Sequence, residues 1–406
     1  KLKTMKKALT TFLFLFYFFS IQSQIATMFN DGFFEYIIKD PYSTNSYEVS
    51  LKKYNDCPKG TLTIPETISY NSKIYKITGI AKDAFVNCIN LTHVVFNNNI
   101  KYIGDSAFKN TGLLDLIYPK GLNKVGNKIF SSCKNLINVI VEEGVTYLGN
   151  DTFTWCKNLT DVTLPNSLIT IGYGTFSACK SLKEIKLPNS ISSIGSGTFG
   201  GCDSLVDVTI PTSLINLTYN TFSGCNSLKN IIIPNNIKNI ESSNFSDCKS
   251  LESITIPFNV ESIGDYAFYN CKSLKKVIVN NDKPILINKT VFKDVAISNI
   301  PLTVPYGRKK IYKTTSIWED FGIINESEII NNEIDMQLYP NPVDDELNIL
   351  FKSNSTLKLV NIYNILGQLV KIETSTKINI ESLQSGIYSI EVLTNKGKAT
   401  KKLIIE

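Results

Sequence analysis

The chain is poor in the residues that carry most enzyme chemistry. Its 406 residues include one histidine, two tryptophans and three methionines. A single imidazole, His93, leaves no histidine cluster, and no Cys-x-x-Cys pair takes its place, so a zinc site is not expected. A histidine-based hydrolase would need His93 together with a nucleophile and an orienting acid, and the sequence does not group them. His93 stands just before a predicted strand in LTHVVF and reads as a surface or half-buried neutral side chain. Paired carboxylates across a cleft would be needed for glycoside hydrolysis. Asp105, Asp151 and Asp265 belong to separate segments; they read as solvated turn residues, with a calcium role as the other reading. No catalytic residue, cofactor or metal is expected.

Charge of one sign is also scarce. Lys and Arg number 42 against 36 Asp and Glu, a net charge of +6, and the signs are mixed along the chain. With no basic block, nucleic acid is not an expected partner. Long apolar runs are missing too, which leaves no transmembrane span in the mature chain. The one apolar run, Phe12 to Phe19, follows Lys6 and Lys7 in MKKALTTFLFLFYFFSIQSQ. It reads as a secretory signal peptide over residues 1–24, starting at Met5 and cleaved near Ser23 or Gln24.

What the chain does have is a period. Cysteine recurs every 23 residues at 133, 156, 179, 202, 225, 248 and 271, and phenylalanine stands three residues before each. Phe85 and Phe108 open two earlier units, the second with Thr111 where the cysteine would stand. A fixed period of this length is the mark of stacked coils. Counting Phe176 as position 0, Ile185 and Leu187 at +9 and +11 share one face of a short strand. Pro188 ends the strand, Asn189 and Ser190 turn the chain, and Gly195 at +19 suits a tight or positive-φ turn. Phe, Leu and Ile columns would fill a shared interior, since one coil alone buries too little apolar area. At ~4.8 Å per coil the stack would be about 50 Å long.

The residue between the two inward strand positions should face out. In order these are Val95, Ile117, Ile140, Thr163, Lys186, Thr209, Ile232, Thr255 and Ile278. The column is read as a candidate binding surface, although strand propensity alone also favours Ile, Val and Thr. It holds no Trp or Tyr, which does not encourage carbohydrate stacking. Cysteines 23 residues apart would point the same way, a poor geometry for bridges, so a reduced, buried ladder is expected. Cys57, outside the frame, is expected to be an exposed thiol.

The text F-x-x-C-x-x-L-x-x-I-x-I/L-P followed by x-x-I-G resembles the BspA-type leucine-rich repeats of bacterial surface proteins. The resemblance implies a mainly β fold: a lead-in and cap over residues 25–59, a solenoid over 60–300 and a closing cap over 301–325. A polar linker at 326–335 precedes a module without the period. Its alternating segments and turn glycines, among them Gly397, read as a small β-sandwich of six or seven strands over 336–406. Tyr339-Pro340-Asn341-Pro342, Tyr363 with Gly367, Gly386-Ile387-Tyr388, and Lys401-Lys402 make it similar to the type A sorting domain of the type IX secretion system of Bacteroidetes. That likeness implies export, with the secretion machinery as partner of this module. It also implies a product that is secreted or attached at the outer membrane. The repeats would then bind an unknown protein or cell-surface ligand, as in adhesion. A structural spacer, or an accessory subunit of an extracellular enzyme, are the alternatives.

Overall fold

The computed structural model describes residues 28–38, 48–53, 55–327, 336–351, 356–365, 368–394 and 398–406. The signal peptide expected over residues 1–24, Gly367, Gly397 and residues 328–335 of the expected linker lie outside the described residues. The chain divides into two units that part between Glu326 and Ser327, and each has its own core.

The first unit is a mainly β solenoid of coils of about 23 residues. Most coils contribute two short strands, and where like strands of neighbouring coils pair they do so in parallel. One ladder contains Asp115–Tyr118, Asn138–Val141 and Asp161–Thr163, with Ile140 facing Ile117 on one side and Thr163 on the other. The other contains Tyr147–Leu148, Thr170–Ile171 and Ser193–Ile194. A repeat of identical length makes identical residues neighbours, so one apolar choice per position builds a whole column. The Phe column shows this best. The rings of Phe85 through Phe292 stack coil on coil with centroids 5.1–5.8 Å apart and planes within 19° of parallel. All are buried, each worth on the order of 2–3 kcal/mol in transfer free energy.

Both ends of that stack are closed by aromatic rings. Phe34, in the strand Phe34–Ile38 of the N-terminal sheet, meets Phe85 edge-on at 6.4 Å. At the other end Phe292 meets Trp318 and Phe321 edge-on at 6.1 and 5.4 Å. The polar atoms that these caps bury find backbone partners: Trp318 Nε1 donates to Ile285 O at 2.7 Å and Tyr312 Oη to Asn281 O at 2.8 Å.

From Phe85 to Phe268 each coil turns through two left-handed residues, two before and two after its phenylalanine. Asp151 (φ 53°) and Trp155 (φ 63°) flank Phe153; Asn220 (φ 56°) and Gly224 (φ 72°) flank Phe222. Asp, Asn, Ser and Gly dominate these positions because they bear the left-handed conformation at least cost. Gly195 is not among them, contrary to the expectation of a positive-φ turn there. It is needed for close approach instead: a Cβ at Gly195 would lie 2.3 Å from the backbone nitrogen of Tyr173 in the preceding coil. The same holds at Gly104, Gly126 and Gly264.

Pairing along the stack is broken at several coils, and at one of them the strand itself is missing among the described residues. Thr218 and Glu241 replace that close-approach glycine in two successive coils, and the strand expected around Ile232 is not formed. Among the described residues the ladder stops at Asp207–Thr209 and resumes at Ser253–Ile256. A gap too tight for a water molecule lies beside Thr218, lined also by Leu187, Leu217 and Phe222.

The cysteines divide. Seven form a buried ladder of free thiols. Cys57 is not an exposed thiol, as its place outside the frame suggested; it is bonded to Cys88 with the Cα atoms 5.1 Å apart. The parallel-vector objection applies between coils, whereas Cys57 approaches Cys88 from the chain leading into the strand Gly60–Thr63. The bond ties that lead-in to the first full coil.

The second unit is a small antiparallel sandwich. Three strands, Met336–Tyr339, Glu346–Phe351 and Lys377–Asn379, face four, ordered Leu369–Glu373, Leu357–Tyr363, Gly386–Thr394 and Lys398–Ile405. Alternate residues such as Leu347, Ile349, Val360, Ile362, Ile390 and Val392 supply the core between them.

Candidate interaction surfaces

In the solenoid the strand pattern sends positions +9 and +11 inward and leaves +8 and +10 to solvent. Val95, Ile117, Ile140, Thr163, Lys186, Thr209 and Ile232 are exposed; Thr255 and Ile278 are half-buried. Ile232 is 83% exposed, where the ladder lapses. The sequence pattern missed Leu114 and Ile137, which stand just ahead of the strands Asp115–Tyr118 and Asn138–Val141 and are exposed there. Ile137 N donates to Leu114 O at 2.8 Å, which sets these two side chains on adjacent coils. Val95 (51% exposed), Leu114 (38%), Ile117 (57%), Ile137 (50%) and Ile140 (40%) form an exposed aliphatic group on three successive coils, with Ile117 opposite Ile140 and Leu114 beside Ile137. Strand packing holds it on a rigid backbone, so a partner would find it already ordered.

Beside it runs a second column that spacing alone could have revealed. Asp161, Glu184 and Asp207, all at +8, are exposed in consecutive coils, and Glu184 pairs in register with Asp207. Thr160 Oγ1 donates to Asp161 Oδ2 at 2.6 Å. Among the described residues none of the three carboxylates is in an ion pair. Like charges in register repel, so a basic partner group would be favoured there.

His93 has neighbours the sequence did not group: Thr92 Oγ1 lies 2.9 Å from Nδ1, and Asp115 Oδ2 lies 3.3 Å from Nε2. Asp115 is exposed and His93 nearly so, which leaves out the dry, preorganised surroundings that activate a hydroxyl. Asp105 and Asp265 serve the stack: Asp105 Oδ1 accepts from Asn127 N at 2.7 Å, and Asp265 Oδ1 from Thr290 Oγ1 at 2.5 Å. Asp151 is one of the left-handed turn residues, and burial raises its carboxyl. Among the described residues no group of three or more His, Cys, Asp and Glu side chains could hold a metal ion.

Six of the seven ladder thiols are raised above the usual thiol range, whereas at Cys133 burial is outweighed by hydrogen bonds with Cys156 and Thr111 and the thiol is lowered. Burial pushes Cys202 and Cys271 up to about 12, and Cys179, Cys225 and Cys248 well above the usual thiol range. Each Sγ donates to the carbonyl of the Phe in the preceding coil, as Cys179 does to Phe153 O at 3.3 Å and Cys225 to Phe199 O at 3.3 Å. The period located these residues but did not reveal that they are hydrogen-bond donors.

In the C-terminal sandwich, four of the motif residues converge. Tyr363, Tyr388, Lys401 and Lys402 line one open groove of about 580 Å³, with the exposed Ile365 and Ile387 beside them. The pairings Tyr363–Ser389 and Ser389–Lys402 carry the row across three strands. Among the described residues neither lysine has an anionic partner. The remaining motif residues do something else. Asn341 Nδ2 donates to Lys402 O at 3.0 Å, and Asn341 Oδ1 accepts from Ile404 N at 2.9 Å, so one side chain pairs with the edge of the last strand. Val343 N extends the contact to Ile404 O at 2.9 Å. Tyr339, Pro340 and Pro342 are exposed on the segment carrying Asn341, and Gly386 opens the strand Gly386–Thr394.

These features match known families. The model of the BspA type leucine rich repeat region matches in six copies over residues 78–206, 170–298 and 239–333. That of the secretion system C-terminal sorting domain matches residues 337–406. Among solved structures, a leucine rich cell surface protein from Faecalibacterium prausnitzii A2-165 is 19% identical, with 74% of this chain and 95% of that one covered and a TM-score of 0.39. The pneumococcal vaccine antigen PcpA is 15% identical, covering 75% of this chain and 100% of that one, with a TM-score of 0.43. A leucine-rich repeat protein from Bacteroides ovatus ATCC 8483 is 20% identical, covering 74% and 100%, with a TM-score of 0.37. No curated protein matches the chain.

Proposed function

Since the chain belongs to the BspA-type leucine-rich repeat proteins and ends in a type IX secretion sorting domain, we propose that its repeats are a binding surface for a protein or cell-surface partner. The sorting domain makes it a secreted or surface-attached extracellular protein. Among the described residues no helix is long and apolar enough to cross a membrane.

The observation that carries the proposal is the exposed aliphatic group of Val95, Leu114, Ile117, Ile137 and Ile140, with Ile117 and Ile140 in register on parallel strands. A soluble surface keeps such side chains together at a cost in solubility, and a partner that covers them recovers about 25 cal/mol per Å² of apolar area. The neighbouring carboxylates of Asp161, Glu184 and Asp207 favour a partner with basic groups beside its apolar contact. Contacts of this kind act by recognition, without a catalytic group, cofactor or metal.

The sorting domain has its own partner, the secretion machinery. Tyr363, Tyr388, Lys401 and Lys402 are the residues proposed to be read there. Their convergence on one groove, with no ion pair to either lysine among the described residues, supports that reading.

The test is retention of the purified exported protein by intact cells, matrix proteins and polysaccharides at low salt. Saturable retention by a protein or cell surface supports the binding role. Failure to be retained by any of them leaves a structural spacer as the function.

A further inference from the structure

Two large rings stand in water on a turn of the solenoid where the fold has no use for them. Tyr173 and Tyr219 are 49% and 52% exposed, and each stands three residues before the phenylalanine of its coil. In other coils that place holds Asn127, Asn150, Ser196, Ser242 and Asp265, all small and polar. Among the described residues neither tyrosine ring has an aromatic or cationic neighbour, and neither hydroxyl has a hydrogen-bond partner. Packing and capping therefore give no reason for an aromatic at either coil. The column is separate from the strand-face column of Ile117 and Ile140, which holds no aromatic residue.

Main-chain bonds fix the register of the two rings. Gly174 N donates to Ser196 O at 2.9 Å and Gly197 N to Tyr219 O at 2.8 Å, so Tyr173, Ser196 and Tyr219 occupy consecutive rungs. The phenylalanines of the same three coils have rings 5.7 and 5.6 Å apart, which sets like positions two coils apart at about 10–11 Å. The floor between the tyrosines is low and open: Ser196 is exposed, and nothing lies within 4 Å of a Cβ added at Gly197.

An exposed tyrosine offers an apolar ring face with a polar tip. The C–H-lined face of a pyranose ring stacks on such a surface, while the sugar hydroxyls exchange hydrogen bonds with small polar neighbours such as Ser196 and Asn220. In an extended β-1,4-linked chain each sugar is turned over relative to the one before it, so the same face recurs once per disaccharide. Tyrosine at every second coil, with serine between, has that repeat, and the spacing of the coils matches one sugar ring per coil. Charge narrows the ligand further. From Asn150 to Tyr266 the positions three and two residues before each phenylalanine hold no lysine or arginine, and their charged members are Asp151 and Asp265. An acidic polysaccharide is disfavoured there.

We propose that Tyr173 and Tyr219 form a platform for a neutral, extended β-1,4-linked polysaccharide lying along the stack of coils. The site is separate from the aliphatic face, and the two stand or fall independently. Both tyrosines are carried on backbone that pairs with the next coil, so the spacing of the rings is set before the ligand arrives.

The test uses the full exported chain in affinity electrophoresis through gels containing hydroxyethylcellulose, a neutral soluble β-1,4-glucan. Soluble starch, which is neutral but α-linked, and carboxymethylcellulose, which has the same backbone with carboxylates, are the comparisons. The wild type is expected to be retarded by hydroxyethylcellulose more than by either. Y173A and Y219A are each expected to weaken binding about tenfold or more. Both rings are exposed, so the melting temperature of each variant should stay within a few degrees. Y173F/Y219F, which keeps the rings, should be retarded like the wild type. I117E/I140E should also be retarded like the wild type, which separates this site from the aliphatic face. Absence of wild-type retardation by hydroxyethylcellulose overturns the proposal. So does equal retardation of Y173A/Y219A at unchanged stability, or retardation by starch as strong as by the β-glucan.

Discussion

The thiol of Cys156 donates to the main-chain carbonyl of Phe130, one coil earlier, across 3.2 Å. That carbonyl also accepts the amide of Cys133 within its own coil, at 3.4 Å. The buried sulfur therefore satisfies a second lone pair in a place no water reaches, while filling space as a small hydrophobe. Replacing Cys202 with alanine removes both contributions and is expected to cost about 1–2 kcal/mol. Phe199→Ala, which opens a gap in the ring stack, is expected to cost about 3–5 kcal/mol. Urea unfolding followed by circular dichroism measures both.

Alkali should unfold the solenoid through the same column. A thiol whose folded pKa is raised contributes stability that is fully present below its unfolded value and is lost as pH rises toward the folded one. For Cys202 that window runs from 9.0 to about 12. Each such thiol removes up to about 1.4 kcal/mol per pH unit inside it. Stability under reducing conditions should change little between about pH 6 and 8 and fall increasingly steeply above about 9. C202A should show a shallower fall than the wild type when denaturation midpoints are followed to about pH 11.

Two glycines in one coil should respond differently to alanine. At Gly197 the backbone is left-handed (φ 65°) but nothing lies within 4 Å of an added Cβ. G197A therefore carries only the conformational cost, about 1 kcal/mol. At Gly195 the added carbon would meet Tyr173 of the preceding coil, and G195A is expected to lose about 3 kcal/mol or more. Thermal denaturation of the pair decides between close approach and turn geometry as the reason for the glycine column.

The coil around Ile232 should be the soft point of the stack. Its strand residues lack ladder pairing, while Ile185 and Val208 on one side and Ile254 on the other have it. Amide hydrogen exchange should be faster at Ile231, Ile232 and Ile233 than at those three residues. T218G/E241G, which restores the close-approach glycines, should slow it.

The period made the columns legible because one residue type per position, repeated at a constant interval, arises where like positions meet in space. Phe153, Phe176 and Phe199 could be placed on one line from spacing alone, and so could the outward side of the strands. The Cys57–Cys88 bond could not, since it joins a residue outside the frame to one inside it, and no spacing rule connects them. Gly195 was legible as a glycine that matters, but conformational freedom and close approach leave the same letter. The exposed pair Leu114 and Ile137 was hidden by their place in the shortened unit and at the strand edge, where apolar residues usually count as core. In the sandwich, Tyr363 and Lys402 lie far apart in sequence, and only the antiparallel pairing through Ser389 makes them neighbours. Asn341 was recognisable as part of a motif, yet its work at the edge of the final strand depends on side-chain geometry that a motif does not spell out.

Binding by the aliphatic face is tested most directly by I117E/I140E, compared with the wild type on whichever cell or protein surface retains the exported chain, with thermal stability followed in parallel. Both side chains are solvent-exposed on the strand face, so the melting temperature should stay within a few degrees. Retention should fall at least tenfold. Equal retention by the variant and the wild type, at unchanged stability, would contradict the assignment of this face as the binding surface.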